Sequence, residues 1–295
     1  MENRLKCVVS NKRELEIEHQ LDADVLFLLG SLPKYDVHFL DLDGEIKSEQ
    51  IEKKIRDAGY EWNEVLLLAA EDRTLESGKR IGLPVVAFAN SEKREQSYKA
   101  AEVVVEGFEE IDFYFLEKVF QRKHGIPWRV IETERTYLRE MTVEDLDDLY
   151  EIYAQPGITD YVEPLYEDRE EEKEYTKAYI QHMYSYYGYG MWLVCDRQND
   201  LIIGRAGLNI QEIEGTIELE MGYLIRKEYQ RKGYALEVCT AILNYAKKEL
   251  DFQKINCLVK KGNQISEKLL EKLGFFWESE IEIRGIIMER YIYLL

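Results

Sequence analysis

Over the first 123 residues, short apolar runs alternate with helical patterns. The runs cover residues 5–9, 25–29, 37–40, 65–69, 84–88 and 103–105, and each reads as a strand. Apolar positions recur at helical spacing near 47–57, 74–81 and 110–122. Strands that are apolar throughout, separated by helices, predict a parallel sheet covered on both faces. Residues 1–123 are therefore expected to form a small Rossmann-like α/β domain. Gly125 and Pro127 then break the pattern, and the stretch 124–133 reads as a short linker between docked domains.

The rhythm changes in residues 134–295. Strands are expected at 137–141, 191–195, 201–208, 217–225, 254–259, 275–283 and 286–294, and helices at 143–154, 168–187, 235–249 and 264–273. Thr142 is a good N-cap, with Asp145 at the third helical position. The acidic run Glu167, Asp168, Glu170, Glu171 and Glu172 suits the positive end of a helix dipole. Turns near Asp200 and at Glu214 and Gly215 predict an antiparallel meander. The second half is thus a mixed, mostly antiparallel sheet flanked by helices.

Composition narrows the function classes. The chain has 295 residues, 45% hydrophobic and 33% charged, which fits two folded domains and not a disordered protein. The net charge of −19, from 39 basic and 58 acidic residues, argues against a broad nucleic-acid or anionic-membrane surface. It permits cationic partners such as amines. The four cysteines (Cys7, Cys195, Cys239, Cys257) form no close pair and read as reduced thiols of a cytoplasmic protein. The four histidines show no metal-ligand spacing, so no metal site is expected. No signal-peptide core and no membrane-spanning run are visible.

The chemistry concentrates in residues 222–235, Gly-Tyr-Leu-Ile-Arg-Lys-Glu-Tyr-Gln-Arg-Lys-Gly-Tyr-Ala. Here a strand runs into a loop that opens an amphipathic helix. Such a turn aims successive backbone N–H groups at one point, and the helix dipole adds positive potential, so a diphosphate is well received. Gly233 removes a Cβ from the approach. Arg231 and Lys232 add positive charge, and Ala235 keeps the first helical turn slim.

This segment resembles the signature Q/R-x-x-G-x-G/A of the GCN5-related N-acetyltransferase (GNAT) superfamily, matched by Gln230, Arg231, Lys232, Gly233, Tyr234 and Ala235. The strand from Glu218 to Ile225 is similar to the E-x-G-Y-x-I strand of the ribosomal-protein alanine N-acetyltransferase-like branch. Residues 263–266 (Asn-Gln-Ile-Ser) and 271–275 (Glu-Lys-Leu-Gly-Phe) resemble that branch's N-x-x-S and E-K-L-G-F elements. The resemblance covers about 160 residues. It implies a GNAT fold with a splayed sheet, and acetyl-CoA as donor. It further implies diphosphate binding by the backbone amides of residues 231–235 and pantetheine pairing with the main chain of Leu224 and Ile225. Asn263 would hydrogen-bond the cofactor, with Ser266 a weaker candidate.

Acetyl transfer needs a neutral amine, and a free alkylamine is protonated at pH 7. A carboxylate near the attack site can take that proton. Glu220 matches the family's strand glutamate, and Glu218 shares its face at period two and competes with it. A backbone N–H near Leu224 would hold the oxyanion. Many members of the family that this segment resembles place a tyrosine seven residues after the asparagine of N-x-x-S. Leu270 stands there, so no general acid is assigned. The acceptor site is expected from residues 161–163, 186–192 and 283–287, with Glu163 and Glu167 suiting a cationic acceptor. One of Tyr184, Tyr186, Tyr187 or Tyr189 could line it, but packing in the helix and loop is the preferred reading of each. The acceptor amine, whether a protein N-terminus or a small molecule, is left open, as is homo-oligomerisation.

The N-terminal half holds a competing motif. Residues 37–44 look like the strand and D-x-D-G loop of haloacid-dehalogenase-like phosphohydrolases, with Asp41 and Asp43 as nucleophile and acid, and Glu71 and Asp72 as a late acidic loop. Glu45 replaces the expected threonine-type residue and the fold is truncated, so a degenerate relative is the preferred reading. The alternatives to an N-acetyltransferase are an acyl-CoA sensor without turnover and a bifunctional enzyme with a magnesium-dependent phosphatase at the front.

Overall fold

The structure, a computed structural model, describes residues 4–43, 46–93 and 95–295. They fall into two compact units, Met1–Trp128 and Arg129–Leu295.

In chain order the first unit contains β1 (Cys7–Ser10), α1 (Ala23–Ser31), β2 (His38–Asp41), α2 (Ser48–Asp57), β3 (Val65–Ala69), α3 (Asp72–Arg80), β4 (Val85–Phe88), β5 (Val103–Val105) and α4 (Phe113–Lys123). These five strands form one all-parallel sheet in the order β2-β1-β3-β4-β5, and Glu16–Ile17 and Gln20–Leu21 form a separate short antiparallel pair. Alternate strand residues feed two cores. Val8, Leu66, Leu68 and Val86 pack with Val25 and Leu28 of α1 and Leu116 and Phe120 of α4. Cys7, Val9, Val65, Leu67 and Val85 pack with Ile51 and Ile55 of α2 and Leu75 of α3.

One expected strand is a helix. Residues 25–29 lie in α1, capped by Asp22, whose carboxylate accepts from the Asp24 N–H at 2.8 Å. Val25 and Leu28 are buried while Leu26 and Phe27 are 55% and 71% exposed. A five-residue apolar run cannot by itself separate strand from helix, and here the i, i+3 pair carries the burial.

The second unit contains β6 (Arg129–Glu132), β7 (Thr136–Arg139), α5 (Leu146–Tyr153), α6 (Arg169–Tyr179), β8 (Met191–Asp196), β9 (Ile202–Ile213), β10 (Thr216–Ile225), α7 (Tyr234–Glu249), β11 (Lys254–Lys260), α8 (Gln264–Leu273), β12 (Phe276–Ile283) and β13 (Ile286–Leu294). Residues 129–132, read from sequence as linker, form the edge strand β6. The expected helix 168–187 is α6 continued by a π-helical stretch, Ile180–Tyr187, that stops at Gly188 with φ +79°. The sheet order is β12-β13-β11-β10-β9-β8-β7-β6. Every neighbouring pair is antiparallel except β10 and β11. Trp192, Leu193, Met221, Val238, Ile242, Ile255 and Leu270 are among its buried core side chains. Among the described residues, no helix is long and apolar enough to cross a membrane. All four cysteines are buried and free.

Candidate active site

The parallel strands β10 and β11 are ten and seven residues long, yet they share one paired position, Glu220 opposite Asn256. Beyond it the strands part, which leaves a wedge in the sheet. A buried polar staple closes the narrow end. Asn256 donates to Glu218 Oε2 at 2.7 Å and to the Leu219 carbonyl at 3.1 Å. Arg290 of β13 donates to Asn256 Oδ1 at 2.9 Å and to Glu218 Oε2 at 2.7 Å. Lys254 sits 3.0 Å from Glu218 Oε1.

These contacts separate two glutamates that sequence periodicity left equivalent. Burial alone would raise the Glu218 carboxyl, but Lys254, Asn256 and Arg290 together hold it below its usual range. It is a fixed anion and a poor proton acceptor. Glu220 has no such partners. Burial, and then the charge of Glu163, push it up to about 7, against one N–H from Leu258 on the far side of the wedge. A carboxylate poised there can exchange protons near neutral pH.

The main chain of β10 alternates its polar groups. The Arg226 N–H donates to Ile203 on the β9 side at 2.7 Å, so the even-numbered residues, Leu224 included, face β9. Tyr223 and Ile225 turn their backbone groups to the wedge. The Ile225 carbonyl is already taken by the Gln230 side-chain amide at 2.9 Å. The Leu224 main chain is thus turned toward β9 and away from the wedge, and Gln230 shapes the loop through its side chain.

The loop between β10 and α7 is built from two left-handed positions, Arg231 at φ +59° and Gly233 at φ +85°. Gly233 is the N-cap of the 16-residue α7. The first intrahelical bond runs from the Glu237 N–H to the Gly233 carbonyl at 3.1 Å. The N–H groups of Tyr234, Ala235 and Leu236 precede it and point out of the helix end. Arg231 and Lys232 are exposed beside them.

A brace missed by the sequence reading holds this turn. Glu237 accepts from Arg135 Nε at 2.6 Å, the Arg135 N–H at 2.9 Å and Thr133 Oγ1 at 2.6 Å. Arg135 also donates to the Lys232 carbonyl at 3.0 Å, and its guanidinium lies 4.1 Å from the Tyr234 ring centre. These hydrogen bonds hold the Glu237 carboxyl below its usual range against the opposing effect of burial. Glu237→Gln is expected to cost about 1–2 kcal/mol of stability, the worth of one charge-assisted pair. A thermal melt showing no loss would remove the brace.

At the start of α8, Asn263 caps the helix, its side-chain oxygen accepting the Ser266 N–H at 3.2 Å. α7 and α8 pack together. Leu270 is fully buried in the core. The Tyr223 hydroxyl is shielded from solvent and lies beside Ser266.

On the opposite face, Glu163 forms an exposed ion pair with Arg284 at the tip of the β12–β13 hairpin, 3.2 Å apart. The two segments expected to shape an acceptor site thus meet near Glu220. The four tyrosines divide into two pairs. Tyr184 and Tyr189 are buried, and Tyr186 and Tyr187 are exposed on the π-helical stretch.

The phosphatase reading of the first unit meets a geometric obstacle. Asp41 ends the edge strand β2, while Glu71 and Asp72 follow β3, with β1 between them. Two strand spacings separate their backbones by about 10 Å, and among the described residues no group of three or more His, Cys, Asp or Glu is placed to hold a metal ion. Asp41 accepts from the Lys12 N–H at 3.2 Å, and Asp43 pairs with Lys54 at 3.6 Å. The buried Glu14 carboxylate fills the start of α3, accepting from Ala70 N–H, Glu71 N–H and Thr74 Oγ1 at 3.0, 3.1 and 2.6 Å. Gly44 and Glu45 of the motif lie outside the described residues.

Comparison with known proteins bears on the second unit. Residues 135–276 match the family model of the acetyltransferase (GNAT) domain. The chain is 29% identical over 150 residues to the uncharacterized protein YkkB of Bacillus subtilis, spanning 50% of this chain and 86% of that one. It is 26% identical over 168 residues to the uncharacterized N-acetyltransferase p20 of Bacillus licheniformis, spanning 55% of this chain and 93% of p20. The spermidine N-acetyltransferase of Vibrio cholerae, solved with CoA and spermine, aligns at 27% identity with a TM-score of 0.45, over 54% of this chain and 95% of that one. The C-terminal half of the chain carries a GNAT acetyltransferase domain, and the protein is an acyltransferase.

Proposed function

We propose that the second unit transfers an acetyl group from acetyl-CoA to a primary amine by direct attack in a ternary complex. The observation that carries this is the juxtaposition of the Gly233 turn with a wedge that opens at Glu220. The residues present fit the donor. The N–H groups of residues 234–236, with Arg231 and Lys232, would hold the diphosphate. The Ile225 N–H and the Tyr223 backbone would meet the pantetheine arm. Asn263 uses its oxygen as a helix cap, which leaves its NH₂ for a hydrogen bond to the donor.

The thioester supplies an activated acetyl group whose leaving thiolate has an ordinary pKa of about 8.5. Glu220 takes the ammonium proton, directly or through water, and the freed lone pair attacks the thioester carbonyl. A backbone N–H on the open edge of β10 steadies the oxyanion. Collapse breaks the C–S bond, the second proton of the attacking nitrogen passes to the departing thiolate directly or through water, and no side chain needs to be assigned as its acid. The acceptor is a protein N-terminal amine or a small-molecule amine. In the first unit, Asp41 and Asp43 act as turn residues, and the unit regulates the transferase, recruits its substrate or mediates self-association.

One observation favours a second reading. Leu270 puts a buried aliphatic group where many members of the family carry a tyrosine, as expected of a protein that binds acyl-CoA without turning it over. Thiol release from acetyl-CoA against a panel of amines separates the two. Amine-dependent release with acetylated product supports the transferase. Tight binding without release on any amine supports the sensor.

A further inference from the structure

Arg205 of β9 stands out among the cations of the second unit. Its side chain is part-buried, and its Nε is shielded from solvent without a hydrogen-bond partner. Arg139, Arg226 and Arg290 each have a carboxylate within ion-pair distance. Arg205 has tyrosines instead. Its guanidinium lies 5.5 Å from the centre of the Tyr179 ring and within hydrogen-bonding reach of the Tyr153 and Tyr179 hydroxyls, with Tyr184 a further electrostatic neighbour. Tyr175, which is 48% exposed, also feels its charge.

The phenols do not supply a countercharge. Tyr179 donates its proton to Asn209 Oδ1 at 2.9 Å and accepts the Met191 N–H at 2.6 Å. Tyr184 donates to the Met191 carbonyl. Their lone pairs and ring faces can soften the burial of a cation, but burial of an uncompensated charge remains costly. Among the described residues no Asp or Glu forms an ion pair with Arg205, whereas Arg139, Arg226 and Arg290 each have one.

The register links Arg205 to the candidate base. Arg205 is opposite Leu224, Gly207 opposite Gly222, and Asn209 opposite Glu220. All six therefore share one face of the sheet. Two rows end in polar groups, and the row between them has no side chains of its own but is covered by Met191, whose Cε and Sδ lie 3.3 and 3.4 Å from where a Cβ on Gly222 would stand. Tyr179 spans that row by reaching Asn209. The ends are four residues apart, about 13 Å along the strand before side-chain reach is subtracted.

We propose that Arg205 binds a carboxylate of the acceptor, several bonds from the amine that faces Glu220. This rests on the transferase reading and specifies its substrate: an amine that carries its own carboxylate at a distance, as in a peptide with an acidic residue near its N-terminus. A lone guanidinium matches one negative charge, and Arg205 is the cation acting on Tyr175, Tyr179 and Tyr184. A phosphate dianion would call for a second.

The test uses the full chain, acetyl-CoA and four matched acceptors: alanyl-glutamate amide, alanyl-glutamine with a free terminal carboxylate, alanyl-glutamine amide, and alanyl-phosphoserine amide. The first two separate a side-chain from a terminal carboxylate. A carboxylate acceptor is expected to exceed the neutral amide in kcat/KM by about 10- to 100-fold, through KM. Arg205→Gln is expected to bring that ratio close to one. Equal use of charged and neutral acceptors, a preference for the phosphate, or an equal loss on all acceptors in the variant would overturn the proposal. The N-acetylated products titrated into the protein with coenzyme A give the same ratio without turnover. Equal product affinities defeat the Arg205 proposal alone, whereas absence of thiol release with every amine defeats the transferase reading alone. If Arg205→Gln does not fold, the wild-type ratio still decides.

Discussion

Gly233→Val is expected to abolish measurable acetyl-CoA binding. Gly233 sits at φ +85°, a region β-branched residues avoid, and caps the helix whose first N–H groups face the wedge. Holding valine there costs on the order of 1–3 kcal/mol of backbone strain. Relief of that strain would rotate the N–H groups of residues 234–236 away from their common target. A Cβ at this position lies 3.4 Å from Arg135 Nη2, in ordinary van der Waals contact with the brace, so the backbone strain carries the effect. The affinity loss should reach at least about 100-fold, or about 2.7 kcal/mol. Calorimetric titration, with a melt to confirm folding, checks this. Unchanged affinity in a folded variant would count heavily against the diphosphate site.

Glu220→Gln should reduce kcat by about 10²- to 10⁴-fold, the usual worth of a general base, with little effect on donor binding. The wild-type rate should rise with pH and level off above about 7, where Glu220 loses its proton. The variant should lack that limb. Stability moves the opposite way. The folded carboxyl holds its proton to about 7 and the unfolded one to its ordinary 4.5. Between those values the native state binds more protons, so this group's contribution is full below the lower value and is lost as pH rises through the upper. Glu220→Gln should flatten that decline. A variant that keeps both the acid limb of the rate profile and the wild-type rate would remove Glu220 as the base.

The contrast between Glu218 and Glu220 shows where sequence reading stops. Period two places both on one face of a strand. Their separation comes from Lys254, Asn256 and Arg290, which arrive from two other strands of the sheet. The turn at residues 230–235 was legible because its chemistry is local: a glycine, two basic residues and a helix start. The Arg135–Glu237 brace spans 102 positions and has no local signal. Arg205 was equally silent, since its tyrosines come from α5, α6 and the π-helical stretch. Asp41 and Asp43 drew attention by spacing, and it was strand order that set them apart from Glu71 and Asp72. Residues 25–29 misled for the reverse reason. Their apolar run was too short to show the turn of a helix, and Asp22 as its cap decided the matter.

The central claim is that the backbone from residue 223 to the first turn of α7 grips the coenzyme. Amide hydrogen exchange on the full chain, with and without coenzyme A, reads this directly. Slower exchange is expected in residues 223–236 and at the start of α8, with residues 4–128 unchanged. Protection confined to the N-terminal unit, or none at a coenzyme concentration that saturates binding, would contradict it.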